Sequence, residues 1–141
     1  MINKFRGRYY FLSNFYPCRV VIGGLAYPSS EHAYQASKSC RAEIKAEIAT
    51  LKTPGKAKRA GRSIELKSDW DSTRVQTMKH IVTQKFIQNP YLLRELVATG
   101  EEELIEGNNW GDRFWGVCSG IGENNLGKIL MQIRCELKSS I

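Results

Sequence analysis

The chain has 141 residues, of which 21 are Lys or Arg and 14 are Asp or Glu, giving a formal charge of +7. Hydrophobic residues make up 42% and charged residues 25%, a composition that excludes global disorder and matches a folded globular chain. No apolar run approaches the ~20 residues of a membrane span, and the opening Met1-Ile2-Asn3-Lys4-Phe5-Arg6 lacks the apolar core of a signal peptide. These features point to one soluble, cytoplasmic domain over residues 1–141 with no membrane partner. The positive charge suits a polyanionic partner such as nucleic acid or a phosphorylated nucleotide, and it equally serves solubility.

In chain order, Arg8-Tyr9-Tyr10-Phe11-Leu12 is aromatic and reads as a strand. Cys18–Ile22 is β-branched, and Gly23-Gly24 turns it into Leu25-Ala26-Tyr27, the clearest hairpin signal in the chain. Pro28-Ser29-Ser30 opens a helix with a serine cap and Glu31 in the first turn, expected to run to about Cys40. A second helix is expected over Arg41–Leu51. A third starts at Thr53-Pro54, with Thr as cap and Pro at the first helical position, and ends near Gly61. The longest helix is predicted from Asp71 to Gln88, with Val75, Met78, Val82 and Phe86 as its buried stripe. Asn89-Pro90 breaks it, and a short helix follows over Tyr91–Ala98. Glu103–Glu106 and Phe114–Cys118 are expected to pair into the sheet, and a last helix covers Leu126–Leu137. The predicted class is α+β and mostly helical: a small antiparallel sheet, drawn from both ends of the chain, packed against several helices.

Cys18, Cys40, Cys118 and Cys135 form no C-x-x-C pair, and with only His32 and His80 present no zinc spacing arises. They are expected to be reduced and mostly buried, and neither a metal site nor a cofactor is expected. Gly122–Lys128 matches G-x-x-x-x-G-K, but Ile129 stands where a magnesium-binding hydroxyl belongs, so the match reads as a Gly-rich loop before a helix.

Glu31, Tyr34, Gln35 and Lys38 fall at i, i+3, i+4 and i+7 and so share one helix face. That face carries a carboxylate, a ring, an amide and an amine. It suits either a small polar ligand or bulk solvent. Gly107–Gly116 places Trp110, Trp115, Asn108, Asn109 and Asp112 in one Gly-punctuated loop, either a stacking surface for a flat heterocycle or a loop pinned by its rings. The basic run Lys56–Arg62 suits a phosphate or solvent.

Taken together, Phe11–Pro17, Tyr27–Lys38, Trp70 with Met78 and Lys85-Phe86, Glu106 with Asp112 and Trp115-Gly116, and Asn125-Leu126-Gly127 with Leu130-Met131 and Arg134 resemble the NADAR family of YbiA-like N-glycosidases. The resemblance runs over almost the whole chain. It implies hydrolysis of a C–N glycosidic bond between a ribose carbon and a base or amine, without a metal. It implies as substrate an ADP-ribosylated guanine nucleotide or nucleic acid, or a ribosylamine phosphate of riboflavin synthesis. It also implies Glu31, Lys38 and Asp112 as catalytic groups, with Asn14, Tyr34, Trp70, Trp115 and Asn125 as substrate contacts. The alternative is a non-catalytic module that binds ADP-ribose or nucleic acid.

Overall fold

The Gly23-Gly24 pair makes the turn that the sequence predicts: both glycines have positive φ, +59° and +81°, as a two-residue hairpin turn of type I′ requires. The computed structural model describes residues 1–141. In it, β1 (Val20–Ile22) pairs antiparallel with β2 (Leu25–Tyr27), Val20 opposite Tyr27 and Ile22 opposite Leu25. The chain divides into two compact units, one formed by Asn14–Asn89 and the other by Met1–Ser13 with Pro90–Ile141. The fold is α+β and mostly helical, and no helix is long and apolar enough to cross a membrane.

In the unit Asn14–Asn89, helix α1 (Ser30–Ala36) packs against α2 (Ala42–Ala49), α3 (Pro54–Gly61), α4 (Trp70–Gln88) and the hairpin. Every residue of α1 is buried, so this short helix is the centre of the unit rather than its surface. Ser29 caps it by accepting from His32 N at 3.2 Å, and Thr53 caps α3 by accepting from Lys56 N at 3.1 Å. The last turn of α4 covers the hairpin edge: Gln88 accepts from Val21 N at 2.7 Å and donates to Val21 O at 2.9 Å. A side-chain amide thus takes the place of a third strand. The buried stripe of α4 is Met78, Ile81, Val82, Lys85 and Phe86. Val75, expected there, is 40% exposed.

The second unit contains α5 (Pro90–Ala98), α6 (Asn125–Leu137) and a short parallel pair of β3 (Gly107–Asn108) with β4 (Val117–Cys118). Arg8–Leu12, expected as a strand, is a 3-10 helix spanning Gly7–Leu12. Phe11 and Leu12 are adjacent and both buried, and a strand sends neighbouring side chains to opposite faces. A 3-10 turn sets neighbours about 120° apart rather than on opposite faces, so both can reach the interior. The antiparallel sheet is therefore the hairpin alone. The other pairing is separate: Ile2 bridges Leu104 and β3 pairs β4, both parallel, and Cys118 makes an isolated antiparallel bridge to Ile121.

Gly122 and Gly127 of the P-loop-like run serve packing. A Cβ on Gly122 would lie 2.2 Å from Gly116 O, and one on Gly127 would lie 2.1 Å from Leu104 O. Cys18 and Cys118 are buried, whereas Cys40 and Cys135 are exposed, so two of the four thiols depart from the expected burial.

Candidate active site

Glu31 sits in the first turn of α1 and is 8% exposed. Its backbone N–H donates to Asn14 O at 3.0 Å. Its Oε2 accepts from Gln35 Nε2, one turn on, at 2.6 Å. The predicted face thus exists, but it is turned inward and bonded. The helix also ends earlier than expected, at Ala36. Lys38 lies in the following turn, half-buried, with Nζ 5.8 Å from the Tyr34 ring centroid.

Burial pushes the Lys38 amine below the ordinary lysine value. The Glu31 carboxylate opposes that shift, while Arg62, Arg74 and Lys58 add to it by repulsion. Lys38 thus stands among three further cations and is drawn the other way by the Glu31 carboxylate.

Two rings adjoin this group. Tyr34 and Trp70 are both buried, with centroids 5.3 Å apart and planes at 49°. Lys67 Nζ stands 5.9 Å from the Trp70 ring, so each ring has a cation within cation–π range. Asn14 is engaged by protein groups. Its Oδ1 accepts from Ser30 Oγ at 3.0 Å, and its Nδ2 lies 3.3 Å from Met78 Sδ. These contacts tie the start of α1 to α4. The unit Asn14–Asn89 thus brings together Asn14, Glu31, Tyr34, Lys38 and Trp70.

His32 does not join them. Its Nδ1 lies 2.7 Å from Ser29 Oγ and its Nε2 2.9 Å from Leu51 O, a buried histidine with both nitrogens engaged. A separate cleft of about 670 Å³ lies between α2 and the segment 63–67, lined by Ile44, Ile48, Leu51, Ile64 and Leu66. Its charged lining is Arg41, Glu47, Glu65 and Lys67; neither Glu31 nor Lys38 lines it.

In the second unit, Asp112, Trp115 and Asn125 belong to one bonded loop. Asp112 Oδ1 accepts from Phe114 N at 3.1 Å and Trp115 N at 2.9 Å. Asn108 clamps Asp112 from both sides, donating to its O at 2.8 Å and accepting from its N at 3.0 Å. Asn125 Nδ2 donates to Phe114 O at 2.9 Å. Phe114 and Trp115 meet edge to face at 4.8 Å. Gly116 admits Glu106: a Cβ there would lie 1.7 Å from Glu106 Oε2.

Several residues of these arrangements escape sequence reasoning. The donor role of Gln35 and the place of Arg74 depend on packing between helices. Gly61, read as a helix terminator, is also a packing position (below).

The NADAR domain family matches residues 3–138 of the chain. A riboflavin biosynthesis protein of Vibrio vulnificus is 41% identical over 131 residues, which cover 91% of this chain and 35% of that protein. The chain thus spans about a third of that relative's length. The N-glycosidase YbiA of Escherichia coli is 35% identical over 128 residues, 89% of this chain and 79% of that protein. An N-glycosidase of Nostoc punctiforme is 37% identical over 133 residues, 90% of this chain and 85% of that protein. The solution structure of Escherichia coli YbiA superposes with a TM-score of 0.85 at 32% identity, over 99% of this chain and 88% of that one. The chain belongs to the NADAR domain family.

Proposed function

We propose that this protein is an N-glycosidase that hydrolyses the C–N bond between a ribose carbon and a base or amine. The observation that carries the reading is a buried carboxylate, Glu31, held by Gln35 and opposed by the half-buried amine of Lys38. N-glycosidases among the relatives support the same class of reaction.

Cleaving a glycosidic C–N bond builds positive charge on the ribose carbon and negative charge on the leaving nitrogen. Glu31, kept as a hydrogen-bond acceptor, stabilises the first and draws a proton from the attacking water. Lys38 is the amine of a covalent route. A ribosylamine opens to its imine, and a neutral Lys38 adds to that carbon. The base or amine then leaves with a proton, and water releases the sugar from the lysine imine. The lowered proton affinity of Lys38 favours the neutral nucleophile, and neighbouring cations are one established way to achieve it. The step calls on no metal ion, and turnover in EDTA should equal turnover without it.

Arg62, Arg74 and Lys58 suit the phosphate of a ribosylamine phosphate or the pyrophosphate of ADP-ribose. Tyr34 and Trp70 offer ring faces to a base. Riboflavin biosynthesis proteins among the relatives favour the ribosylamine phosphate; an ADP-ribosylated guanine nucleotide or nucleic acid is the second substrate to test. The test is to incubate the protein with each and identify the released fragments by mass. A free base or amine with a ribose product supports the proposal. Tight binding of both substrates without any product would make the protein a binding module instead.

A further inference from the structure

Gln35 is 4% exposed, and its two amide atoms have opposite fates. Nε2 donates to Glu31 Oε2 at 2.6 Å. Oε1 is buried with no hydrogen-bond partner, an arrangement that ordinarily carries a desolvation cost. The reason for that cost lies on α3. A Cβ at Gly61 would fall 1.8 Å from Gln35 Oε1 and 2.6 Å from its Cδ. The amide therefore occupies the space that a side chain at position 61 would fill. The hydrogen that Gly61 carries in that direction points at the oxygen, a weak Cα–H···O contact.

We infer that Gln35 is a positioning residue for Glu31 and that a glycine at position 61 is what lets it act as one. The inference rests on reading Glu31 as the reacting carboxylate. With Oε1 lodged against Gly61, the amide presents only N–H to Glu31. An N–H donor bonds the ionised carboxylate more strongly than the protonated one and so favours the charged form. Turning the amide over would aim its NH₂ at the Gly61 Cα and set its oxygen against the Glu31 carboxylate. The seat on α3 thus fixes both the rotamer of Glu31 and its role as acceptor. The other charged groups of this neighbourhood are Lys38, in the turn after α1, with Lys58 and Arg62 on α3 and Arg74 on α4. His32, on α1 itself, is bonded to Ser29 and Leu51.

The test is a ¹³C NMR titration of the Glu31 side-chain carboxyl, assigned by its loss in Glu31→Gln, in the full-length protein without substrate. In Gln35→Met, which keeps length but has no donor, the midpoint should rise by about one pH unit, a tenfold change in proton affinity. Gly61→Ala, whose methyl group displaces the amide, should raise it similarly although it touches no charge. In a Gln35→Ala background the same Gly61→Ala change should shift nothing further, because its methyl group then has room. Midpoints within about 0.2 unit of wild type in both folded single variants would overturn the inference. A raised midpoint with turnover unchanged would leave the positioning in place and remove Glu31 from the mechanism.

Discussion

His32 is fastened to the backbone of Leu51, nineteen positions further on. Nε2–H donates to Leu51 O at 2.9 Å, while Nδ1 accepts from Ser29 Oγ at 2.7 Å. In the neutral ring Nε2 bears the hydrogen and Nδ1 is left to accept, whereas an imidazolium would have to donate to Ser29 Oγ instead. Burial lowers its proton affinity from the ordinary 6.5, against a smaller opposing effect of the Leu51 bond. As pH falls through 6.5, the unfolded chain takes up a proton before the folded one does, so stability drops. Urea midpoints measured from pH 7 to 5 should fall more steeply in wild type than in His32→Gln. Equal slopes would contradict the assignment.

Lys85 is a second buried base, and its linkage has the same sign in a more alkaline window. It is fully buried on α4, and desolvation, partly offset by Cys18, lowers it from 10.5 to about 8. Below pH 8 both states carry the proton and the full cost of burying it. Between about 8 and 10.5 the unfolded chain holds more protons, so stability rises with pH, by roughly 3 kcal/mol across the window. Cys18 and Tyr27, raised by burial, act in the other direction. The readout is therefore the difference between wild type and Lys85→Met in denaturant titrations. That difference should narrow as pH rises from 8 to 10.5, and a constant difference would refute the assignment.

Asp112 holds its loop through one oxygen that accepts two backbone N–H groups. Asparagine keeps that oxygen and alanine does not. Asp112→Asn should melt within a few degrees of wild type. Asp112→Ala should lose about 1–2 kcal/mol, as a lost side-chain cap does. Equal losses in the two variants would show that the negative charge, rather than the acceptor, holds the loop.

The contrast among these residues shows what the sequence can and cannot reveal. Gly23-Gly24, Thr53-Pro54 and the helical spacing of Leu126, Ile129, Leu130, Ile133 and Leu137 are local signals, and each marks an observed element, though Leu137 at the end of α6 is only half-buried. The face shared by Glu31, Tyr34, Gln35 and Lys38 was legible from helical spacing. Its burial was not, because no periodicity distinguishes a helix enclosed by α2, α3, α4 and a hairpin from one on the surface. Val75 and Lys85 make the same point on α4: spacing favours the valine, yet packing exposes it and buries the lysine. The parallel pairing of β3 with β4 is accompanied by the Asn108–Asp112 clamp in the loop between them, which only the folded chain displays. The catalytic roles expected of Glu31, Lys38 and Asp112 rest on the family resemblance, not on spacing.

Lys38 tests the covalent route. Lys38→Arg keeps a cation near Glu31 but cannot form an imine with the sugar. It should lose turnover as completely as Lys38→Ala. Borohydride added with a ribosylamine phosphate should leave a substrate-dependent mass on the wild-type protein and none on either variant. The lowered proton affinity of Lys38 also places the alkaline rise in rate below the ordinary lysine range. Wild-type turnover in Lys38→Arg would exclude the imine.

The most direct measurement is turnover of Glu31→Gln on whichever ribosylated substrate the wild type cleaves, read as released base beside a thermal melt. The substitution preserves shape and removes the charge. Turnover should fall by about a hundredfold or more, the usual loss with a missing acid–base group, while the melt stays within a few degrees of wild type. A Glu31→Gln protein that releases base at the wild-type rate would contradict the account.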